Sequence, residues 1–165
     1  MSTPKEDYLK VIKNTQLVAL DLIIINEKNQ VLLGYRNNNP AKNTWFTFGS
    51  RIFKEESFEQ VCQRVSSNEL GLHIELKNCT KNGVYSHNYP NNFENDDFGT
   101  NYIVFAFVYK CSSKDIGDLD NIKGDNQHTI FNWFNIDDVI NRNNEYNIHE
   151  NVRYYFIENP PNRVF

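Results

Sequence analysis

The sequence predicts an α/β fold in which a central mixed sheet is flanked by helices. Three observations support this prediction. An apolar, branched run at Leu17–Ile25 is typical of a buried strand, and a short polar turn joins it to a second strand at Gln30–Arg36. One amphipathic helix lies near the middle of the chain, at residues 57–70. Further strands and two short helices follow, and 165 residues are enough for one domain with its own core.

The N-terminal part of the chain is predicted to hold a helix, a hairpin and two short extended pieces. Residues 1–16 form a helical segment, because Tyr8, Val11 and Ile12 share one side of a helix over residues 5–13. The hairpin of the first two strands comes next. Beyond it we expect a polar loop at 37–43, and extended pieces at 45–48 and 51–53 on either side of Gly49 and Ser50.

The central helix has a start signal, an apolar stripe and a stop signal. Ser57 and Gln60 are spaced as a capping box, in which each side chain bonds the backbone N–H of the other residue. Gly71 is placed to end the helix in a left-handed conformation. The apolar stripe consists of Phe58, Val61, Cys62 and Val65.

The C-terminal half is predicted to complete the sheet and to cover it with helices. An acidic loop at 91–97 is expected to form a solvated rim. Four strands are expected, near 74–76, 83–85, 102–109 and 129–134. Two short helices are expected, at Ile136–Asn141 and 149–156.

Charge and composition argue against several classes of protein. The formal net charge of -4 and a pI of about 5.6 argue against a nucleic-acid-binding protein. The longest apolar run, Leu17–Ile25, is interrupted by Asp21 and is too short to span a membrane. The N-terminus has no apolar signal-peptide region, and three cysteines without a C-x-x-C spacing are typical of reduced thiols. We therefore expect a cytoplasmic protein with neither a nucleic acid nor a membrane as its partner.

Glu69 occupies an unusual position for a carboxylate on the central helix. At about 100° per residue it falls roughly 20° from Phe58, on the apolar stripe. It also lies in the last turn, where the helix dipole disfavours an anion. Such a carboxylate either has a cation beside it or reaches water from a frayed helix end, and helix geometry alone favours neither interpretation.

Residues 50–72 resemble the Nudix box, whose pattern is G-x5-E-x7-R-E-U-x-E-E-x-G-U, with U an aliphatic residue. The matching positions are Glu56, Arg64, Glu69, Gly71 and Leu72. The departures are Ser50 in place of glycine, Val65 and Asn68 in place of two glutamates, and Ser66 in place of an aliphatic residue. This box is therefore degenerate, and a Cβ at position 50 is expected to strain its turn. The resemblance also implies an ion pair between Glu56 and Arg64.

The two lost glutamates and matches along nearly the whole chain make the sequence similar to the GDP-mannose mannosyl hydrolase family of the Nudix superfamily. The matching pieces include Leu17-Val18-Ala19-Leu20-Asp21, Leu32-Leu33-Gly34-Tyr35-Arg36, Glu69-Leu70-Gly71-Leu72 and Gln127-His128. Phe48 departs from this family, which usually has proline at that position. The resemblance implies a single Nudix-type α/β/α sandwich over residues 1–165, and a homodimer.

The same resemblance implies one Mg²⁺ per site, held by the Gly49 carbonyl, Glu69, Gln127 and the substrate phosphates. It also implies that His128 is the general base. Considered alone, His128 ends the polar segment 124–128 just before a strand, and a loop histidine there can titrate near neutrality. The alternative is a solvated histidine without a role.

Further side chains are expected around the substrate. Arg36 and Arg51 resemble phosphate-facing arginines that neutralise charge during catalysis, or they are solvated surface charges. Asp21 accepts hydrogen bonds from sugar hydroxyls, or it forms a salt bridge, with Arg36 as a candidate partner, or lies at a sheet edge. The remaining candidates are His87 and Tyr102 around the sugar and phosphate, and Tyr8 against guanine, and each of these has a purely structural alternative.

The resemblance implies hydrolysis of GDP-mannose, or of GDP-glucose, to GDP and free sugar. Water attacks the anomeric carbon with inversion in this reaction, and no second carboxylate is needed because the diphosphate leaves without a general acid. Two alternatives stay open. One is an ordinary Nudix pyrophosphatase that yields a nucleoside monophosphate and a sugar phosphate, and the other is a catalytically silent module that binds a nucleotide sugar.

Overall fold

The computed structural model describes residues 4–125, 127–142 and 145–165. Residues 1–3 of the predicted helical segment 1–16, and residue 126 of the polar segment 124–128, lie outside this description. The helices are α1 (Lys5–Asn14), α2 (Phe58–Leu70), α3 (Ser113–Ile116), α4 (Ile136–Asn141) and α5 (Glu150–Tyr154). The strands are β1 (Leu17–Ile25), β2 (Gln30–Arg36), β3 (Trp45–Phe46), β4 (Phe48–Arg51), β5 (Thr80–Tyr89), β6 (Thr100–Lys110) and β7 (His128–Asn135).

The strands form one mixed sheet with β1 in its interior. The main order is β3-β2-β1-β6-β5, while β4 pairs with β1 and β7 pairs with β2. The β1–β6 pair is parallel, and β1 is antiparallel to both β2 and β4. The predicted mixed sheet is therefore confirmed, as is the hairpin of the first two strands. The β1–β4 register places Asp21 opposite Gly49, which brings two predicted site residues together.

Helices cover both faces of the sheet. On one face the apolar stripe of α2, which includes Val61 and Val65, packs against β1 residues such as Leu20 and Leu22. On the other face Val139 of α4 and Val152 of α5 join a second buried cluster. These two cores confirm the α/β/α sandwich, because each face of the sheet is buried against its own helical layer.

Helix α2 begins and ends where the sequence predicts. Ser57 and Gln60 form both halves of the capping box, with Oγ of Ser57 accepting from the Gln60 N–H. Gly71 ends the helix with φ of 68°, a left-handed conformation that glycine adopts without steric cost. The frayed helix end considered for Glu69 is wrong, since Glu69 lies within the helix and is buried.

Two expectations about the strands are wrong. Residues 74–76, all within the described part of the chain, form no strand, and Leu76–Asn78 is instead a 3-10 turn. Ile74 is buried against α2, where its N–H donates to Ser66 Oγ and its carbonyl accepts from Cys62 Sγ, so its backbone is satisfied without a strand partner. Gly49 and Ser50 do not separate two extended pieces, because both lie inside β4.

No helix in the described ranges has both the length and the apolar character needed to cross a bilayer.

Candidate active site

A cavity of about 290 Å³ opens between the N-terminal ends of β1 and β6, strand β4 and the loop at residues 38–41. Its volume is at the lower end of the ~300–1,000 Å³ typical of small-molecule sites. The predicted site residues that line it are Tyr8, Asp21, Arg36, Gly49, Arg51, His87, Tyr102 and Gln127. The fold therefore gathers side chains that are spread over more than a hundred residues of sequence.

Asp21 is a buried acceptor in the wall of this cavity. Its Oδ2 accepts from the Tyr155 hydroxyl at 2.5 Å and lies 3.4 Å from the Thr47 hydroxyl. Burial raises the pKa of Asp21 from its usual 3.8 to about 6, although the hydrogen bond from Tyr155 opposes this rise. The edge-strand interpretation is wrong because β1 is an interior strand. Asp21 has partners other than an arginine, although the charge of Arg36 also lowers its pKa.

His87 is a buried imidazole that, like Asp21, contacts the Tyr155 hydroxyl. Its Nε2 lies 3.3 Å from the Tyr155 hydroxyl, and its Nδ1 lies 3.5 Å from the Tyr89 hydroxyl. Burial lowers the pKa of His87 to about 3, with a smaller contribution from His149. At neutral pH it therefore presents one N–H donor and one lone pair instead of a positive charge.

Arg36 lines the cavity and is held by three acceptors. Its Nε donates to the Pro40 carbonyl at 2.9 Å, its Nη1 to Gln127 Oε1 at 3.1 Å, and its Nη2 to Asn38 Oδ1 at 3.3 Å. These contacts fix the plane of the guanidinium. Gln127, a predicted metal ligand, thus has its side-chain oxygen on Arg36 in this structure.

Arg51 also lines the cavity, where it lies among aromatic rings. Its guanidinium is 3.9 Å from the centre of the Tyr8 ring and 4.8 Å from that of Phe53. Tyr8 also stacks on Phe93, with ring centres 5.4 Å apart. Tyr102 is largely buried near Tyr8, and burial raises the pKa of its hydroxyl, so it stays protonated and can donate. The rings restrict the rotamers of Arg51 while leaving its guanidinium at the cavity wall.

The Nudix-box arginine organises the strand that carries Gly49 and Arg51. Arg64 Nε and Nη2 donate to the two carboxylate oxygens of Glu56 at 2.7 and 2.8 Å, which confirms the expected ion pair. Arg64 also donates to Ser50 Oγ and to the Arg51 carbonyl, each at 2.9 Å. The expected strain at position 50 is wrong, because Ser50 is part of β4 and is not among the described residues with positive φ.

Glu69 and His128 lie together behind the cavity wall. Their side chains are 2% and 0% exposed, and Glu69 Oε2 is 3.1 Å from His128 Nδ1. This short distance does not make a hydrogen bond of good geometry, since among the described residues neither atom has a hydrogen-bond partner. The Gly49 N–H donates to the Glu69 carboxylate and so links this pair to the cavity wall.

The environment of His128 differs from the expectation of a titrating loop histidine. His128 is the first residue of β7 and packs edge-to-face on Phe48, with ring centres 5.4 Å apart. Burial, followed by the nearby charge of Arg36, lowers the pKa of His128 to about 3. Gly34 makes this packing possible, because a Cβ at position 34 would come within 2.6 Å of the imidazole.

The side chains of Glu69, Asp125 and His128, which lie close together behind the cavity wall, suit a divalent cation. Ligand atoms of Glu69, Asp125 and His128 all lie within 4.8 Å of one another. Burial and the charge of Asp125 raise the pKa of Glu69 well above its usual value. A cation would offset the cost of these close carboxylates, and it would give Glu69 Oε2 the partner it lacks. Carboxylate oxygens favour Mg²⁺ or Mn²⁺, whereas imidazole is more typical of transition metals.

Several residues of the site are missing from the sequence-based prediction. Asp125 belongs to the polar segment 124–128, where its carboxylate accepts from the N–H groups of Gln127 and His128. Its position two residues before the predicted ligand Gln127 is a feature of the sequence from which Asp125 could have been predicted as a site residue. Tyr155 and Thr47 gave no signal, because their contacts with Asp21 span 134 and 26 residues.

Comparisons with known proteins place this chain in a family. A family model described as NUDIX domain matches residues 15–156. The low-salt glycan biosynthesis protein Agl8 of Haloferax volcanii is 31% identical over 131 residues, which are 79% of this chain and 78% of that protein.

Solved structures show the same fold at lower identity. The MutT protein of Methanosarcina mazei Go1 superposes with a TM-score of 0.65 at 16% identity, covering 86% of this chain and 90% of that one. The MutT NUDIX hydrolase of Burkholderia pseudomallei gives 0.63 at 17% identity, covering 87% and 97%. The NUDIX domain of Shewanella oneidensis NrtR, solved with ADP ribose, gives 0.56 at 17% identity, covering 84% and 88%. The family match over residues 15–156, the Glu56–Arg64 ion pair and the shared sandwich together show that this chain belongs to the NUDIX domain family and is a Nudix hydrolase.

Proposed function

We propose that the chain hydrolyses GDP-mannose, or its epimer GDP-glucose, to GDP and free sugar by attack of water on the anomeric carbon with inversion. The observation that carries this proposal is the composition of the cavity. Two arginines, Arg36 and Arg51, line it together with Asp21 and His87, which are suited to sugar hydroxyls. The 31% identity to a glycan biosynthesis protein supports a sugar-containing substrate.

The arginines would bind the diphosphate. Guanidinium groups match phosphate oxygens in pairs, and they would neutralise the charge that develops on the departing β-phosphate. Arg36 is already oriented by Pro40 and Gln127, so little conformational entropy is lost when it engages phosphate. Asp21 would accept from a sugar hydroxyl, while Tyr102 would donate to the phosphate or sugar. Tyr8 is proposed to contact guanine at the outer end.

Mg²⁺ is the proposed cofactor, one ion per site. The residues proposed to hold it are the Gly49 carbonyl, Glu69 and Gln127, and Gly49 and Gln127 face the cavity that Glu69 adjoins. When bound, Mg²⁺ supplies electrostatic stabilisation of the leaving diphosphate. Glu69 is then the single box carboxylate at the helix end.

His128 is the proposed general base. Its pKa of about 3 keeps the imidazole neutral at physiological pH, and neither ring nitrogen has a hydrogen-bond partner in the described residues. A lone pair is therefore available to take a proton from a water beside Glu69. The low pKa makes His128 a weak base in the free protein. The charge that develops during the reaction therefore has to stabilise the protonated imidazole.

One observation favours a second candidate, the pyrophosphatase that yields GMP and a sugar phosphate. Asp125 lies within the group formed with Glu69 and His128. Asp125 is therefore a second carboxylate beside Glu69, at a site where two glutamates of the Nudix box are replaced. A pair of carboxylates suits the attack of water on phosphorus. A homodimer and a cytoplasmic location remain predictions from the sequence.

The test is hydrolysis of a nucleotide-sugar panel with Mg²⁺ in ¹⁸O-water. We expect GDP and free sugar from GDP-mannose or GDP-glucose, with the label in the sugar. Label in GMP or in the sugar phosphate would replace the proposal by the pyrophosphatase. Binding without turnover across the panel would indicate a silent binding module.

A further inference from the structure

A chain of hydrogen bonds runs beneath the cavity from the C-terminal helix to Asp21. It consists of Asn151, Tyr89, His87, Tyr155 and Asp21, and we call it the Asp21 chain. Asn151 Nδ2 donates to the Tyr89 hydroxyl at 3.3 Å, which lies 3.5 Å from His87 Nδ1. His87 Nε2 lies 3.3 Å from the Tyr155 hydroxyl, which donates to Asp21 Oδ2 at 2.5 Å. All five side chains belong to residues that are more than nine-tenths buried.

The direction of every bond in the Asp21 chain is fixed by its two ends. An ionised carboxylate can only accept, so Tyr155 donates its hydrogen to Asp21 and accepts from His87 Nε2–H. A neutral imidazole with its proton on Nε2 has a lone pair on Nδ1, which accepts from Tyr89. Tyr89 in turn accepts from the Asn151 amide, which can only donate from Nδ2. This assignment gives each hydroxyl and ring nitrogen one consistent role, and it predicts a single tautomer for His87, with the proton on Nε2.

The two carboxylate oxygens of Asp21 make different contacts. Oδ2 is held by Tyr155 and approached by Thr47. Oδ1 lies against Gly49, where a side chain at position 49 would collide with it. Because Asp21 lines the cavity, anchoring of one oxygen orients the other with respect to a bound ligand.

We propose that Tyr155 is a positioning residue that fixes Asp21 and His87 so that the site discriminates between sugars by the configuration of one hydroxyl. The proposal rests on the proposed function for the identity of the ligand, and Tyr155 acts through Asp21 without being a catalytic residue. Discrimination follows because a fixed acceptor fits one hydroxyl orientation, whereas a mobile carboxylate can follow either epimer.

The first measurement concerns the Asp21 chain itself and needs no activity. In full-length protein labelled with ¹⁵N-histidine, we expect His87 at pH 7 to be protonated on Nε2 and unprotonated on Nδ1. Tyr155→Phe removes the acceptor of Nε2–H and is expected to give a mixture of tautomers. The control is Tyr85→Phe, because Tyr85 is a buried tyrosine whose ring is 4.9 Å from that of Tyr155 but whose hydroxyl donates to Asn82. A wild-type His87 protonated on Nδ1, or on both nitrogens, would overturn the proposal.

The second measurement concerns selectivity. With GDP-mannose and GDP-glucose as substrates, Tyr155→Phe should lower kcat/KM for the preferred epimer roughly 10- to 100-fold, the effect of losing a hydrogen bond to a charged group. The ratio between the epimers should approach one, while Tyr85→Phe keeps the wild-type ratio. A loss of activity in Tyr155→Phe at an unchanged ratio would also overturn the proposal. If wild-type protein hydrolyses neither substrate, the proposed function fails, and the His87 tautomer alone decides whether the Asp21 chain exists.

Discussion

Ser50 replaces the opening glycine of the Nudix box, and its hydroxyl has a defined structural partner. Its Oγ accepts from Arg64 Nη1 at 2.9 Å in β4. We expect Ser50→Gly to lower the free energy of unfolding by about 1–2 kcal/mol, through the lost hydrogen bond and the added freedom of glycine. We do not expect it to raise kcat/KM. Denaturant unfolding and steady-state kinetics test both statements, with Ser50→Ala separating the hydroxyl from the backbone effect. A variant that is more active than wild type would show that Ser50 impairs the site.

The contacts of a single residue could be predicted from sequence where its partner is near in the chain or where its spacing matches a family pattern. Glu56 and Arg64 lie eight residues apart in one box, and their ion pair follows from the pattern. His128 was identified as a site residue, but its burial could not be predicted, because it depends on Phe48 and on the space left by Gly34. Tyr155 could not be predicted at all, because only the tertiary fold brings it to Asp21.

Helix α2 carries Glu69, and its caps and its apolar stripe explain where Glu69 lies. The capping box at Ser57 fixes the start of the helix and Gly71 fixes its end, while packing of the apolar stripe on β1 sets the rotation that buries Glu69. Amphipathic spacing predicted this orientation correctly. The strand predicted near residue 74 does not form, because the backbone of Ile74 bonds to side chains of α2 instead of to a neighbouring strand.

The element-level prediction concerns Mg²⁺ and α2. We expect Mg²⁺ at ten times its Kd to stabilise the wild-type protein by about 1.4 kcal/mol, because a ligand that binds only the folded state adds RT ln(1 + [L]/Kd). Glu69→Gln should abolish most of this gain, and without metal it should be no less stable than wild type, since a buried carboxylate without a cation is costly. Thermal unfolding with and without Mg²⁺ measures both effects, independently of turnover.

The control for this experiment lies on the same helix. Glu59→Gln changes an exposed carboxylate in the first turn of α2, and it should retain the full Mg²⁺ effect. An equal Mg²⁺ gain in Glu69→Gln and wild type would refute the assignment of Glu69 as a metal ligand.

At the scale of the whole molecule, the fold class was predictable because periodicity and turn signals suffice to order strands and helices. The cavity was not, because it arises where β4 and β2 both pair with β1 and where α1, the loop at 38–41 and β5 converge. As a result, ionisable side chains are buried at and beside this cavity. Asp21 has its pKa raised to about 6, whereas His87 and His128 have theirs lowered to about 3.

These shifts act on stability in opposite directions as the pH changes. The two histidines bind protons more readily when the chain is unfolded, so their stabilising contribution is present above about pH 6.5 and is lost as the pH falls toward 3. Asp21 binds its proton more readily in the folded state, so its contribution is present below about pH 4 and is lost as the pH rises through 6. Wild-type stability therefore contains two opposed slopes between pH 4 and 6.

Asp21→Asn isolates one of the two slopes. An amide keeps an acceptor for Tyr155 but carries no charge, so the variant should equal wild type below pH 4 and exceed it increasingly up to pH 6. The difference should level off above pH 6 at up to ~3 kcal/mol, the free energy that corresponds to the shift of the Asp21 pKa. Denaturant unfolding from pH 3.5 to 8 in the presence of EDTA measures this difference in stability. The control is Asp97→Asn, which changes an exposed carboxylate in the acidic loop and should differ little from wild type at any pH. A difference in the free energy of unfolding that is constant across the pH range would mean that Asp21 does not titrate in this window. An Asp21→Asn variant that is less stable than wild type at pH 8 would mean that the charged carboxylate stabilises the cavity wall.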